Sequence, residues 1–196
     1  MRNKTNGYVY YDYHKKTEKE EIAETAWKSI FNWITAIVCL LAVIVLAWST
    51  FFRVVRVDGN SMLPNLENND YVVVYTFNYT PVNGDIIVTS SDYDGGTILV
   101  KRVVATQGQS VSVDYDKDTV SVDSVVINDS YVYEKDVSPH KDEIEYPHVV
   151  ADGYLFLMGD NRNVSRDSRS TEIGDINSDD VLGKVVFRIS KNYKVY

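Results

Sequence analysis

Thr97-Ile98-Leu99-Val100-Lys101-Arg102-Val103-Val104 decides how most of this chain is read. Five of its eight residues are β-branched, and such side chains fit the pleated surface of a sheet better than the crowded surface of a helix. Asp94-Gly95-Gly96, just upstream, is a strong turn signal that joins it to a similar run at 85–89. Working outward, comparable runs bounded by Asp, Asn and Gly recur at 71–74, 110–115, 120–122, 125–128, 154–158 and 184–189. No segment after residue 53 keeps a helical period over a dozen residues. The fold class is therefore mostly β, as a β-barrel or packed sheets, with closure favoured because open edges invite aggregation. Residues 129–153 have weaker periodicity and contain Pro139 and Pro147, which predicts a long loop or flap.

Before residue 53 the pattern is the opposite. Residues 29–52 carry no charge and, from Trp33 onward, only Thr35, Ser49 and Thr50 interrupt the apolar run. About 20 such residues suffice for a helix to cross a bilayer, so a transmembrane helix is expected here. The run is too long for the core of a cleaved signal, and bulky Trp48, Phe51 and Phe52 occupy its exit. It reads as a signal anchor. Lys15, Lys16, Lys19 and Lys28 lie before the span and Arg53 and Arg56 after it, which favours the N-terminus inside. Trp27, Trp33 and Trp48 suit interfacial anchoring. The expected organisation is a cytoplasmic tail at 1–28, whose alternating charges suit a short surface helix, an anchor at 29–52, and an extracytoplasmic domain at 53–196.

The net charge is −8, and residues 53–196 hold 14 basic against 23 acidic residues. That balance argues against nucleic-acid binding, which needs a basic footprint. Cys39, the only cysteine, lies within the span, so zinc–thiolate chemistry is excluded from the outer domain. His14, His140 and His148 have no metal-ligand spacing. No metal and no cofactor is expected.

Gly59-Asn60-Ser61-Met62-Leu63-Pro64 places a serine nine residues beyond Phe52, so within roughly 30 Å of the end of the span even if the chain were fully extended. A serine hydroxyl is nearly inert until a base takes its proton. Neither His140 nor His148 has a setting that suggests a triad. Lys101 is the other option, since Leu99 and Val103 share its strand face and an amine among aliphatic groups loses hydration and basicity. A solvated Lys-Arg pair is the bland alternative. The third element is Met158-Gly159-Asp160-Asn161-Arg162-Asn163-Val164-Ser165-Arg166-Asp167-Ser168-Arg169, too polar to be core. It is either a solvated loop or a hydrogen-bonded network, with Asp167 and Arg169 able to pair, that supports a neighbouring site.

Taken together, residues 59–66, 84–88, 101–104 and 159–169 resemble the ordered boxes of bacterial type I signal peptidases, in the short, single-anchor Gram-positive form. The resemblance runs from about residue 52 to 189. It implies a β-rich, exported catalytic domain and a serine–lysine dyad that cleaves signal peptides from secreted preproteins. It maps the nucleophile onto Ser61, the general base onto Lys101, and a base-orienting hydroxyl onto Ser165. Asp167 and Arg169 match a supporting salt bridge, and Asp160 and Arg162 a structural turn. Gly59, Met62, Pro64, Arg102, Gly159, Asn161 and Ser168 fall in the same boxes as structural support. The backbone N–H of Ser61 is an expected oxyanion donor. Gly59 stands where some members carry a helping serine, which leaves a second donor unassigned.

Two departures stand out: Asn65 replaces the usual threonine, and Ala105-Thr106-Gln107-Gly108-Gln109 replaces Gly-Leu-Pro-Gly-Asp. The implied partners are signal peptides, the lipid bilayer and a nearby secretion translocon. Three alternatives stay open: a specialised homologue serving pilus or surface-protein assembly, a catalytically silent homologue, and a self-cleaving peptidase like the SOS repressors.

Overall fold

The structure, a computed structural model, describes residues 18–91, 95–128, 130–133, 139 and 141–190. The chain divides into two compact units, Met1–Ala47 and Trp48–Tyr196. The first is dominated by helix α1, Glu18–Phe51. At 1.5 Å per residue its 34 residues extend about 51 Å. It is long and apolar enough to cross a membrane over Lys19–Phe51. The helix begins well before residue 29, because the charged segment ahead of the apolar run is itself helical, with Glu24 and Lys28 paired at 3.0 Å. Thr25 and Thr35 donate their hydroxyls to the carbonyls of Glu21 and Phe31, four residues back, at 2.8 and 2.9 Å.

The second unit is mostly β. Its strands are β1 (Phe52–Arg56), β2 (Tyr71–Tyr75), β3 (Ile86–Ser91), β4 (Thr97–Thr106), β5 (Ser110–Asp114), β6 (Thr119–Val122), β7 (Val125–Val126), β8 (His148–Val149), β9 (Tyr154–Met158), β10 (Ile176–Asn177) and β11 (Val181–Ile189). Seven form one sheet in the order β1-β2-β11-β3-β4-β9-β10, and the other four form a second in the order β7-β6-β5-β8. Among the described residues no ladder joins β1 to β10, so packed sheets rather than a closed barrel result.

Alternation explains the packing. In β2, Val72 and Val74 are buried while Tyr71 is exposed. Successive residues of β3 serve opposite faces: Val88 joins Val57, Met62, Leu66, Val72 and Val74, whereas Ile87 joins Val103, Leu155, Leu157 and Ile176. A third cluster, including Ala105, Val111, Val120, Phe156 and Met158, joins the small sheet to the large one.

All eight expected strands are present, Tyr154–Met158 with the expected bounds and the others with shifts at their ends, and the expected turn contains Gly95 and Gly96 at positive φ; Asp94 lies outside the described residues. His14, Lys15, Lys16 and His140 also lie outside them. Residues 129–153 are not a free flap where described. Ile144 N–H donates to Arg169 O at 3.0 Å, Thr171 N–H to Asp142 O at 2.7 Å, and Ile144 and Tyr146 pack on the third cluster.

Candidate active site

Ser61 sits in the turn that follows β1. Gly59 opens that turn at φ 89°, in the left-handed region open to glycine. Met62 and Leu66, 1% and 2% exposed, drive it into the core beneath β2. Leu66 N–H closes onto Met62 O at 2.9 Å, and the Leu63–Pro64 bond is cis. With its neighbours pinned, Ser61 faces a cleft of about 240 Å³ whose walls include Val55, Val57, Met62, Leu99 and Lys101.

Lys101 reaches the same point from the middle of β4, opposite Ile87 of β3. It is 4% exposed, and its Nζ lies 2.8 Å from Ser61 Oγ. Burial pushes the amine below its ordinary value of 10.5. Asp167 opposes that fall, Arg169 adds to it, and Asp160 opposes it more weakly. The rest of β4 leaves an edge beside this pair: β9 pairs with Arg102–Thr106 only, whereas β3 pairs with β4 from Thr97 to Arg102. Among the described residues, 97–100 therefore have a strand neighbour on one side alone.

The loop after β9 is a buried network, not a solvated surface. Asp167 accepts from Arg169 Nε and Nη2 at 2.8 and 3.0 Å and from Gly159 N–H at 2.9 Å, with both side chains fully buried. Complete burial works to raise the Asp167 carboxyl, but Arg169 beside it wins and holds it below the ordinary 3.8. Arg169 Nη2 also donates to Arg162 O at 2.6 Å, and Arg162 Nε to Gly159 O at 3.1 Å. Ser168 Oγ accepts from Leu157 N–H at 3.0 Å, fastening the loop to β9.

This loop grips the serine turn. Asn161 donates through its backbone to Ser61 O at 2.9 Å and through its side chain to Asn60 O at 3.1 Å. Gly159 is obligatory by space, since a Cβ there would lie 2.2 Å from Ser165 Oγ and 2.5 Å from Ser61 O. The Ser165 hydroxyl is buried against this point, close enough to Asp167 to help hold that carboxyl low. No bond joins it to Lys101 Nζ.

Asp160 pairs not within its own loop but with Arg102, which donates from Nε and Nη2 at 2.7 Å each. Arg102 Nη1 also reaches Gly84 O at 2.7 Å, and its guanidinium lies over the Tyr131 ring at 4.1 Å. Asn65 joins this group, donating to both Asp160 Oδ2 and Tyr131 O at 2.8 Å. Sequence reasoning flagged Asn65 only as a departure and missed Tyr131. Both bonds span more than 60 positions, and no local pattern encodes them. The other departure is a turn fixed by its own residues: Gln109 Oε1 accepts from the backbone and hydroxyl of Thr106 at 2.9 and 3.1 Å.

Comparison with known proteins finds one family and several relatives. The family described as signal peptidase, peptidase S26, matches residues 30–190. A probable signal peptidase I-1 from Synechocystis sp. is 33% identical over 163 residues, covering 76% of this chain and 78% of that protein. A signal peptidase I P from Bacillus subtilis subsp. natto is 31% identical, covering 79% and 86%. A crystal structure of a signal peptidase I from Enterococcus faecalis V583 overlaps with a TM-score of 0.45 at 26% identity, covering 55% of this chain and 98% of that one. With a family match across most of its length and relatives above 30% identity, this chain belongs to the signal peptidase family, peptidase S26.

Proposed function

We propose that the chain is a membrane-anchored serine endopeptidase that removes signal peptides from exported preproteins, with Ser61 as nucleophile and Lys101 as general base. The observation that carries this reading is the 2.8 Å contact between Ser61 Oγ and an amine that is 4% exposed. In water a lysine is a cation near neutral pH and cannot accept a proton. Burial lowers the cost of the neutral form relative to the cation, and only the neutral form is a base.

Neutral Lys101 takes the Ser61 proton as Oγ attacks the scissile carbonyl. The oxyanion forms against the Ser61 N–H, which has no acceptor among the described residues. Collapse breaks the C–N bond, and Lys101 returns its proton to the departing amine. Lys101 then deprotonates a water that attacks the acyl–Ser61 ester; collapse breaks the C–Oγ bond, Lys101 returns the proton to Oγ, and the released acid ionises to the carboxylate. Ser165 and the Asp167–Arg169 pair hold the loop against the reacting groups.

The substrate lies extended on the free edge of residues 97–100, where backbone pairing supplies affinity and alternate side chains enter the cleft. A cleft of about 240 Å³ with aliphatic walls suits the small residues that end signal peptides. Helix α1 serves as the anchor, with the N-terminus cytoplasmic and the β unit outside, so cleavage occurs beside the membrane and close to the translocon.

The test is processing of a reporter preprotein in detergent. Ser61→Ala abolishes cleavage, and so does Lys101→Arg, which keeps the charge but cannot become neutral. Rate rises with pH as Lys101 loses its proton, with the midpoint below the ordinary lysine value of 10.5. Near-wild-type cleavage by either variant would overturn the reading.

A further inference from the structure

Asp160 is held by residues that adjoin Lys101 and Ser61 in the chain. From one side Arg102, the residue after Lys101, grips both oxygens at 2.7 Å. From the other, Asn65, four residues beyond Ser61, donates to Oδ2 at 2.8 Å. The second hydrogen of the same amide goes to Tyr131 O at 2.8 Å, and the Tyr131 ring lies beneath the Arg102 guanidinium at 4.1 Å. Arg188 Nη1, from β11, donates to the Asn65 carbonyl at 2.9 Å and fixes the backbone from which the amide projects. The four groups close a ring: Asn65 to Asp160, Asp160 to Arg102, Arg102 to Tyr131, and Tyr131 back to Asn65.

We propose that Asn65 is a positioning residue that sets the Ser61 turn in register with the Lys101 strand by sharing Asp160 with Arg102; this rests on the serine–lysine reading above. The ring holds the turn at Asn65, while Asn161, the residue after Asp160, holds it at Asn60 and Ser61, so one loop fastens both ends of the turn. A short side-chain amide meets both acceptors without adding charge. An asparagine side chain has two N–H donors for two acceptors, whereas a threonine at this position has one O–H and can satisfy one of them. Aspartate has none and would set a carboxylate against Asp160.

The experiment uses the full chain in detergent with a reporter preprotein and compares Asn65→Ala, Asn65→Thr and Asn65→Asp, each corrected for folded fraction by thermal unfolding. Asn65→Ala lowers kcat by about ten- to thirtyfold while KM stays within about twofold, because loss of registration misplaces nucleophile and base without removing substrate contacts. Asn65→Thr recovers part of the loss, and Asn65→Asp falls below Asn65→Ala. An Asn65→Ala enzyme with wild-type kcat per folded molecule overturns the role. So does a loss confined to KM, or an Asn65→Asp enzyme as active as wild type. Ser61→Ala is assayed alongside. Cleavage by Ser61→Ala defeats the dyad itself, whereas an inert Ser61→Ala beside an unimpaired Asn65→Ala defeats only the positioning role.

Discussion

Asp160 and Asp167 occupy the same loop, and each is gripped by an arginine through Nε and Nη2 at 2.7–3.0 Å. Their partners make them different. Arg169 is two residues from Asp167 and both side chains are fully buried, so that pair shapes the loop from inside. Arg102 is 58 residues from Asp160 and its side chain keeps 13% exposure, so that pair joins the loop to a distant strand. The same bidentate geometry thus serves internal shape in one case and long-range register in the other. Stability should weigh more on the first and catalysis on the second.

Removing Asp167 is the hardest blow to that comparison. Asp167→Ala strands the buried Arg169 charge, and breaking a buried pair from one side costs about 3–5 kcal/mol, to be read from urea unfolding. The sign with pH follows from the depressed carboxyl. Its contribution is complete above the ordinary value of 3.8 and drains as pH falls through the lower folded value. The gap between wild type and Asp167→Ala therefore narrows in acid. A gap that widens there would contradict the ion-pair account.

Asp160→Asn comes next. It keeps the shape but removes the charge under a guanidinium that water can still reach, costing about 1.5–3 kcal/mol. Its larger effect is kinetic, a fall in kcat of at least about tenfold as the Lys101 strand and Ser61 turn lose their common reference. If Asp160→Asn and Asp167→Ala cost equal stability and equal kcat, the division of roles between the two pairs is wrong. Arg166→Ala supplies the small end of the scale. The Arg166–Glu172 pair lies in the same loop with both side chains 49% exposed, and such surface pairs contribute within about 1 kcal/mol.

These pairs also mark where the sequence stopped being readable. Strands with four or more alternating or β-branched residues could be seen, as at Tyr71–Tyr75 and Tyr154–Met158. The two-residue strands His148–Val149 and Ile176–Asn177 are too short to show a period, whereas Val125–Val126, equally short, lay inside a β-branched run to Ile127. Strand Phe52–Arg56 was hidden because its aromatic start read as the end of the apolar span. Ser61 and Lys101 were legible as candidates, the serine from its glycine–proline turn and the lysine from its apolar neighbours, and the ordered boxes joined them. The Asp167–Arg169 pair was legible because its members are neighbours. That Asp160 would take Arg102, and that Asn65 would join them, depends on which loop lands beside which strand. Only the fold contains that information.

The tight approach of Gly159 to the Ser61 carbonyl has a mechanical consequence. Two backbones this close cannot be pressed closer, so the serine turn meets a hard stop at the same carbonyl that Asn161 tethers. Approach is blocked by packing and retreat by a hydrogen bond, which leaves that carbonyl one resting position. A missing side chain here works as a gauge block that sets where Ser61 stands against the loop.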